Sequence, residues 1–184
     1  MAGMRYDSLK IENIVASGAI ADAIDLAVIS EKIEHCELNQ KRFPGAVFRI
    51  ENPKIASLIF SSGKVVLTGI RDQDTLEKGL SVIIEAMKKA GVKTYTEPRV
   101  GVTNIVCSYD IGKTINLNKV VMTLNLENIE YEPEQFPGLV YRIRDPKIVA
   151  LLFSSGKIIL TGGRTLDEIK RGLDFLEQKI SGIL

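Results

Sequence analysis

Few residues in this chain are suited to covalent or metal chemistry. Its one histidine, His35, and its two cysteines, Cys36 and Cys107, lack CxxC spacing, so neither zinc nor any other metal or cofactor is expected. Cys107 ends the apolar run Ile105-Val106-Cys107, where a small buried thiol is the ordinary reading, and His35 reads as a structural or surface residue. No G-x-S-x-G, GxxxxGK[ST] or HExxH pattern occurs, and the carboxylates fall mainly on predicted helices and turns. An enzyme working with paired Asp or Glu is the rival of another class. Turnover abolished by changing one carboxylate would support it.

What recurs instead is a set of residues suited to contact. Two phenylalanine pairs, Phe43 with Phe60 and Phe136 with Phe153, each stand beside turn residues such as Pro44-Gly45 and Ser154-Ser155-Gly156. Arg49, Lys64, Arg142 and Lys157 form two matching positive pairs, able to reach phosphates on either side of a groove. Taken singly these are core anchors and surface charges. Their duplication is what calls for explanation.

The duplication runs through the chain. Phe43–Gly69, FPGAVFRIENPKIASLIFSSGKVVLTG, matches Phe136–Gly162, FPGLVYRIRDPKIVALLFSSGKIILTG, at a constant offset of 93, with 18 of 27 positions identical. Ile11-Glu12-Asn13-Ile14-Val15 matches Val102-Thr103-Asn104-Ile105-Val106 at an offset of 91. The chain therefore reads as two copies of one unit, residues 1–92 and 93–184.

Each copy must supply the elements that hold these residues. Leu76, Leu80, Ile83, Ile84 and Met87 follow helical spacing, as do Ile169, Leu173, Leu176 and Ile180, so a long amphipathic helix is predicted near the end of each copy. Gly79 and Gly172 occupy equivalent helix positions, which suggests close approach to a sheet. Shorter helices are predicted around residues 20–29 and 117–124, and the rest is rich in strand patterns. About two helices per copy cover one face of about five strands and leave the other open, an α+β arrangement.

Alternation assigns the faces. With Ile14, Ala16, Val65 and Leu67 under the helices, Asn13, Val15, Lys64, Val66 and Thr68 face outward, and Asn104, Val106, Lys157, Ile159 and Thr161 are their counterparts. An open face of Val, Ile, Leu and Thr needs a partner. Residue pattern alone leaves open a buried inter-domain or dimer interface.

Composition adds limits. Lys and Arg number 24 against 23 Asp and Glu, so nucleic-acid binding would need local placement of charge; 45% hydrophobic residues suffice for a core. No apolar stretch reaches the roughly 20 residues of a membrane span, and Arg5, Asp7, Lys10 and Glu12 interrupt any signal-peptide core, so an intracellular protein is expected.

The duplicated FPG…R…PK…LIFSSGK…TG block, with the paired Asn-Ile-Val strands, resembles the two repeats of the TATA-box-binding proteins over residues 6 to 181. The short segment before the first repeat is similar to archaeal members. The resemblance implies a saddle: a curved antiparallel sheet of about ten strands with four helices on the convex face. It also implies sequence-specific minor-groove binding to the TATA box, promoter bending, and recruitment of transcription factor B and RNA polymerase. The bend of about 80° belongs to that family and is not read from this chain. Location would be cytoplasmic and nucleoid-associated for an archaeal source, nuclear for a eukaryotic one.

By the same resemblance, Asn13 and Asn104 donate to A N3 and T O2 near the pseudo-twofold centre, and Thr68 and Thr161 add hydroxyl donors. Val15, Leu58, Val66, Val106, Leu151 and Ile159 press on sugar and base edges and exclude the guanine amino group. Phe43, Phe60, Phe136 and Phe153 wedge into base steps. Arg49, Ser62, Lys64, Arg142, Ser155 and Lys157 hold phosphates.

The copies differ where Asn39, Lys41 and Arg42 become Glu132, Glu134 and Gln135. A solvated loop is the plain reading of this change. The resemblance implies that Glu132 and Glu134 dock the basic transcription factor B. The rival among binding functions is a protein-binding or dimerisation scaffold built on the apolar face, and a homodimer without DNA is compatible with either. Ile159 opposite Val66 and a proline in both Phe loops leave step preference open.

Overall fold

The computed structural model describes residues 6–124 and 126–184. The chain folds as two compact units: residues 13–103, and residues 104–184 together with the segment ending at Glu12. Among the described residues there are ten strands and four α-helices. None of these helices is long and apolar enough to cross a membrane.

Two long strands, β1 (Lys10–Ala21) and β6 (Thr94–Asp110), contribute residues to both units. The unit of residues 13–103 adds α1 (Leu26–Lys32), β2 (Cys36–Leu38), β3 (Ala46–Glu51), β4 (Lys54–Ile59), β5 (Lys64–Ile70) and α2 (Gln73–Lys89). Its antiparallel ladder runs β2-β3-β4-β5-β1. The other unit repeats the plan with α3 (Leu117–Thr123), β7 (Ile129–Glu130), β8 (Leu139–Ile143), β9 (Ile148–Leu152), β10 (Lys157–Gly163) and α4 (Leu166–Ile180). Its ladder runs β6-β10-β9-β8-β7.

Short polar side chains set the helix starts. Asp25 accepts from the Ala27 and Val28 N–H groups, Asp72 from Thr75 at 2.7 Å, and Asn116 from Lys119 at 3.1 Å. The Thr75 hydrogen bonds hold the Asp72 carboxyl below its usual range. At the start of α4, Thr165 Oγ accepts from the Glu168 N–H, and the Glu168 carboxylate accepts from the N–H of Arg164, the residue before the cap.

One expected element falls elsewhere. Residues 20 and 21 belong to β1, and α1 begins only at Leu26. Ile20 donates to the Gly63 carbonyl at 2.9 Å and Ala19 pairs with Lys64, so strand pairing holds this apolar stretch until the Asp25 cap. Tertiary pairing thus outweighs local helical spacing.

The long helices pack as their stripes predict. Leu76, Ile83 and Met87 are buried, α2 lies on β5, and the buried Ile169, Leu173, Leu176 and Ile180 set α4 on β9 and β10. Gly79 and Gly172 do mark close approach: a Cβ at Gly79 would strike the Ile55 side chain, and one at Gly172 would lie 3.0 Å from Ile148. Cys107 is fully buried, with its thiol pushed up to about 11, first by desolvation and then by the Glu12 carboxylate.

Candidate nucleic-acid interface

With the helices on one side, strand parity sets out the opposite face of each unit. In residues 13–103, Val47 pairs with Leu58, Leu58 with Val66, and Val66 with Ser17; beside this row Arg49 pairs with Ala56 and Ala56 with Thr68. In the other unit Val140 pairs with Leu151, Leu151 with Ile159, and Ile159 with Ser108; beside it Arg142 pairs with Val149, Val149 with Thr161, and Thr161 with Val106. The apolar members are half-buried, while the alternate residues of the same strands are fully buried under the helices. Among the described residues, each unit therefore presents a largely apolar face that stays half-exposed.

Two donors are set into each face. Asn13 Oδ1 accepts from the Gly69 N–H at 2.8 Å, and its Nδ2 donates to Thr68 Oγ at 3.0 Å. Asn104 repeats this with Gly162 at 2.7 Å and Thr161 at 3.1 Å. A backbone N–H only donates, so it fixes which amide atom is oxygen and turns the NH2 toward the threonine. One amide hydrogen is thereby spent on the threonine, and the second remains for an acceptor outside the protein. The hydroxyl contacts with Asn13 Oδ1 at 3.4 Å and Asn104 Oδ1 at 3.3 Å are the longer, weaker ones.

The local sequence explains this lock. Two β1 steps from Ile14 to Ala16 face three β5 steps from Leu67 to Ile70, so Thr68-Gly69 forms a bulge; Thr161-Gly162 does the same. Gly69 and Gly162 have φ of +87° and +102°, which other residues rarely adopt. The paired Thr-Gly dipeptides thus aim an N–H at each asparagine.

Aromatic pairs stand where the loop before β3 meets the β4–β5 turn and where the loop before β8 meets the β9–β10 turn. Phe43 and Phe60 meet edge to face with centroids 5.6 Å apart, and Phe136 and Phe153 at 5.9 Å. Phe136 remains 41% exposed. Glycine makes the space: a Cβ at Gly45 would lie 2.9 Å from the Phe43 ring, and one at Gly138 would lie 2.8 Å from that of Phe136.

The polar residues divide by unit. Arg49, Lys64, Lys157 and Arg142 are exposed, with Arg142 held by Glu130 at 3.5 Å. Ser62 and Ser155 also sit in exposed turns and accept from the Lys64 and Lys157 N–H groups at 3.5 and 3.4 Å. The loops before the first phenylalanines share one backbone form. The Asn39 carbonyl accepts from Arg42 and Phe43, and the Glu132 carbonyl accepts from Gln135 and Phe136. Lys41 and Arg42 are exposed on the first loop, Glu132 and Glu134 on the second. The charge changes on an unchanged scaffold.

Several members of the face were not singled out from sequence: Val47, Ala56, Val140, Val149, Ser17 and Ser108. The signal was present, since Val47 and Val140 share a period of two with Arg49 and Arg142. Acidic residues are also nearer than expected. Glu130 pairs with Val140, and Ser108 donates to Glu12 at 2.6 Å.

Apolar strand faces carrying fixed donors, flanked by exposed cations and aromatic pairs, have the makings of a nucleic-acid-binding surface. Comparisons with known proteins give the class. The family described as "Transcription factor TFIID (or TATA-binding protein, TBP)" matches residues 8–90 and 99–183, and the chain belongs to it; this is a family of DNA-binding transcription factors and not of enzymes.

Individual relatives agree over nearly the whole length. The chain is 45% identical over 180 residues to TATA-box-binding protein 1 of Methanosarcina acetivorans, covering 98% of each chain. It is 46% identical over 167 residues to the TATA-box-binding protein of Picrophilus torridus, covering 91% of each. Its fold is similar to the solved structure of Methanococcus jannaschii TBP, with a TM-score of 0.86, 41% identity, and coverage of 96% of this chain and 99% of the other.

Proposed function

We propose that the chain binds TATA-box DNA through its minor groove, each unit laying its open face against part of the element, and thereby starts transcription. The observation that carries this reading is the duplicated Asn–Thr donor pair set in an apolar surface. In the minor groove, A·T pairs offer only the acceptors A N3 and T O2, whereas G·C adds a protruding amino donor. Outward donors from Asn13, Thr68, Asn104 and Thr161 suit the first pattern. Val15, Leu58, Val66, Val106, Leu151 and Ile159 leave no ready place for the second.

The remaining roles of the proposal rest on the family to which the chain belongs. Phe43 with Phe60 and Phe136 with Phe153 open a base step at a cost of a few kcal/mol each, offset by the apolar face that bent DNA then covers. Arg49, Ser62, Lys64, Arg142, Ser155 and Lys157 hold phosphates, with Arg142 leaving Glu130 to do so. A net charge of only +1 is compatible with this mode, because burial supplements few ionic contacts. Glu132 and Glu134 dock the basic transcription factor B, which brings in RNA polymerase.

The units of duplication are residues 1–92 and 93–184, and the site of action is the nucleoid of an archaeal cytoplasm, in keeping with the archaeal relatives. Without DNA, the uncovered faces also support pairing of two copies, in competition with DNA. The test is a fluorescence binding and bending assay on a TATA duplex and a G·C-rich control. Wild type should bind and bend only the first, and Phe43→Ala/Phe136→Ala should lose the bend. Equal or absent binding to both duplexes would return the apolar face to a protein-binding role.

A further inference from the structure

The two units differ on the outer side of their long helices. In the unit that includes residues 104–184, Arg171 of α4 reaches Asp145 of the β8–β9 turn at 3.9 Å, joining helix to turn with a guanidinium. Beside it Tyr6 donates to Asp174 Oδ1 at 2.6 Å, with Lys170 Nζ 5.1 Å from its ring centroid. At the offset of 93, Arg171, Asp145, Asp174 and Lys170 become Lys78, Asn52, Ser81 and Glu77. Lys78 turns along its own helix to Asp74 at 2.9 Å, and Asn52 offers no charge to draw it across. An open groove of about 520 Å³ is left between the Asn52-Pro53 turn and α2, within the usual range of ligand sites, about 300–1,000 Å³. Half-buried Pro53 and Val82 line it together with exposed Glu77 and Ser81. Among the described residues, Glu77 takes one long hydrogen bond, from Gln73 Nε2 at 3.3 Å, and pairs with no cation.

We propose that this groove docks an arginine carried on a basic segment of a protein partner. The second copy supplies the precedent, because its own Arg171 guanidinium spans the equivalent gap between helix and turn. A guanidinium entering the first groove forks onto the Glu77 carboxylate, and the Asn52 side-chain oxygen takes a further N–H. Its aliphatic stem covers Pro53 and Val82, which are otherwise half-exposed. Lysine suits the groove less, since an ammonium is a point charge that cannot make the fork. Asp74 adds little, because Lys78 already pairs with it. The source is a protein segment and not free arginine: one exposed ion pair is worth little by itself, and neighbouring residues of a segment are needed to hold it in place. Because α2 lies on β5 opposite the open strand face, this surface is separate from the candidate DNA surface, and the inference stands independently of the minor-groove reading.

The test titrates the isotope-labelled full chain, without DNA, with the peptide Ala-Gly-Arg-Ala-Gly-Arg-Ala-Gly and follows backbone amide shifts by NMR. Shifts should concentrate at Asn52, Glu77 and Val82. Glu77→Lys should weaken the peptide about tenfold, near the lower end for a hydrogen bond to a charged group because the site is exposed. That variant installs the residue type the second copy carries at Lys170, so the fold accommodates it. Glu85→Lys makes the same charge change at an exposed position of α2 outside the groove and should leave affinity within about twofold. Replacing the peptide arginines by citrulline should abolish binding and replacing them by lysine should weaken it, results that need no variant protein. Free arginine should bind more weakly than the peptide. Absence of shifts at millimolar peptide, equal loss in the Glu77 and Glu85 variants, or a citrulline peptide, lysine peptide or free arginine that binds as well as the arginine peptide overturns the proposal.

Discussion

Replacing Asn13 by alanine should separate recognition from stability. The side chain receives the Gly69 N–H at 2.8 Å, holds Thr68 at 3.0 Å, and keeps one amide hydrogen for a base acceptor. In the complex its loss leaves a desolvated acceptor unpaired and frees the Thr68 hydroxyl to rotate, at about 1–3 kcal/mol. With about 1.4 kcal/mol per tenfold, affinity for TATA DNA should fall roughly 5- to 150-fold. In the free protein the Gly69 hydrogen bond is solvent-exposed, so water replaces the lost acceptor and folding should lose less than about 1 kcal/mol. Fluorescence anisotropy at several salt concentrations, with thermal melting alongside, measures both quantities. Because Asn13 holds no phosphate in this scheme, the salt dependence should be unchanged. Thr68→Val should cost less in the Asn13→Ala background than in wild type, since Asn13 positions that hydroxyl. Affinity unchanged within twofold, or a loss matched by equal destabilisation, would refute this role for the locked amide.

Three further outcomes are expected. Ile83→Ala, at a fully buried position on α2, should destabilise the protein by about 2–5 kcal/mol in chemical denaturation. Cys107, its thiol pushed up to about 11, should resist iodoacetamide at pH 8 until the protein unfolds. Its linkage has a definite sign: above the ordinary thiol value of 9.0 the unfolded chain releases a proton that the native state retains, so this group's contribution to stability falls as pH rises from 9.0 toward 11. Glu132→Lys/Glu134→Lys should abolish the ternary complex with transcription factor B in a gel-shift assay while binary binding to TATA DNA persists. A normal ternary complex would remove these residues from the contact.

Much of this architecture is legible in periodicity. The stripes through Ile83 and Leu173 define the long helices, and the alternation around Val66 and Ile159 separates covered from uncovered residues because a strand reverses sides at every step. The start of α1 was not legible from spacing. Ile20 and Ala21 suit either element, and their pairing with a distant hairpin decides between strand and helix. The lock on Asn13 was hidden for a similar reason. Thr-Gly is visible in sequence as a turn signal, but the bulge that turns its N–H onto an amide more than fifty residues away exists only in the folded ladder.

Minor-groove reading by the two faces is tested most directly with three duplexes of one length: a TATA element, the same element with every A·T replaced by I·C, and one with every A·T replaced by G·C. Inosine presents the A·T-like minor groove without the guanine amino group, while its major groove resembles that of G·C. The chain should bind and bend the TATA and I·C duplexes with similar affinity and release the G·C duplex. Binding that groups I·C with G·C would contradict recognition through the minor groove.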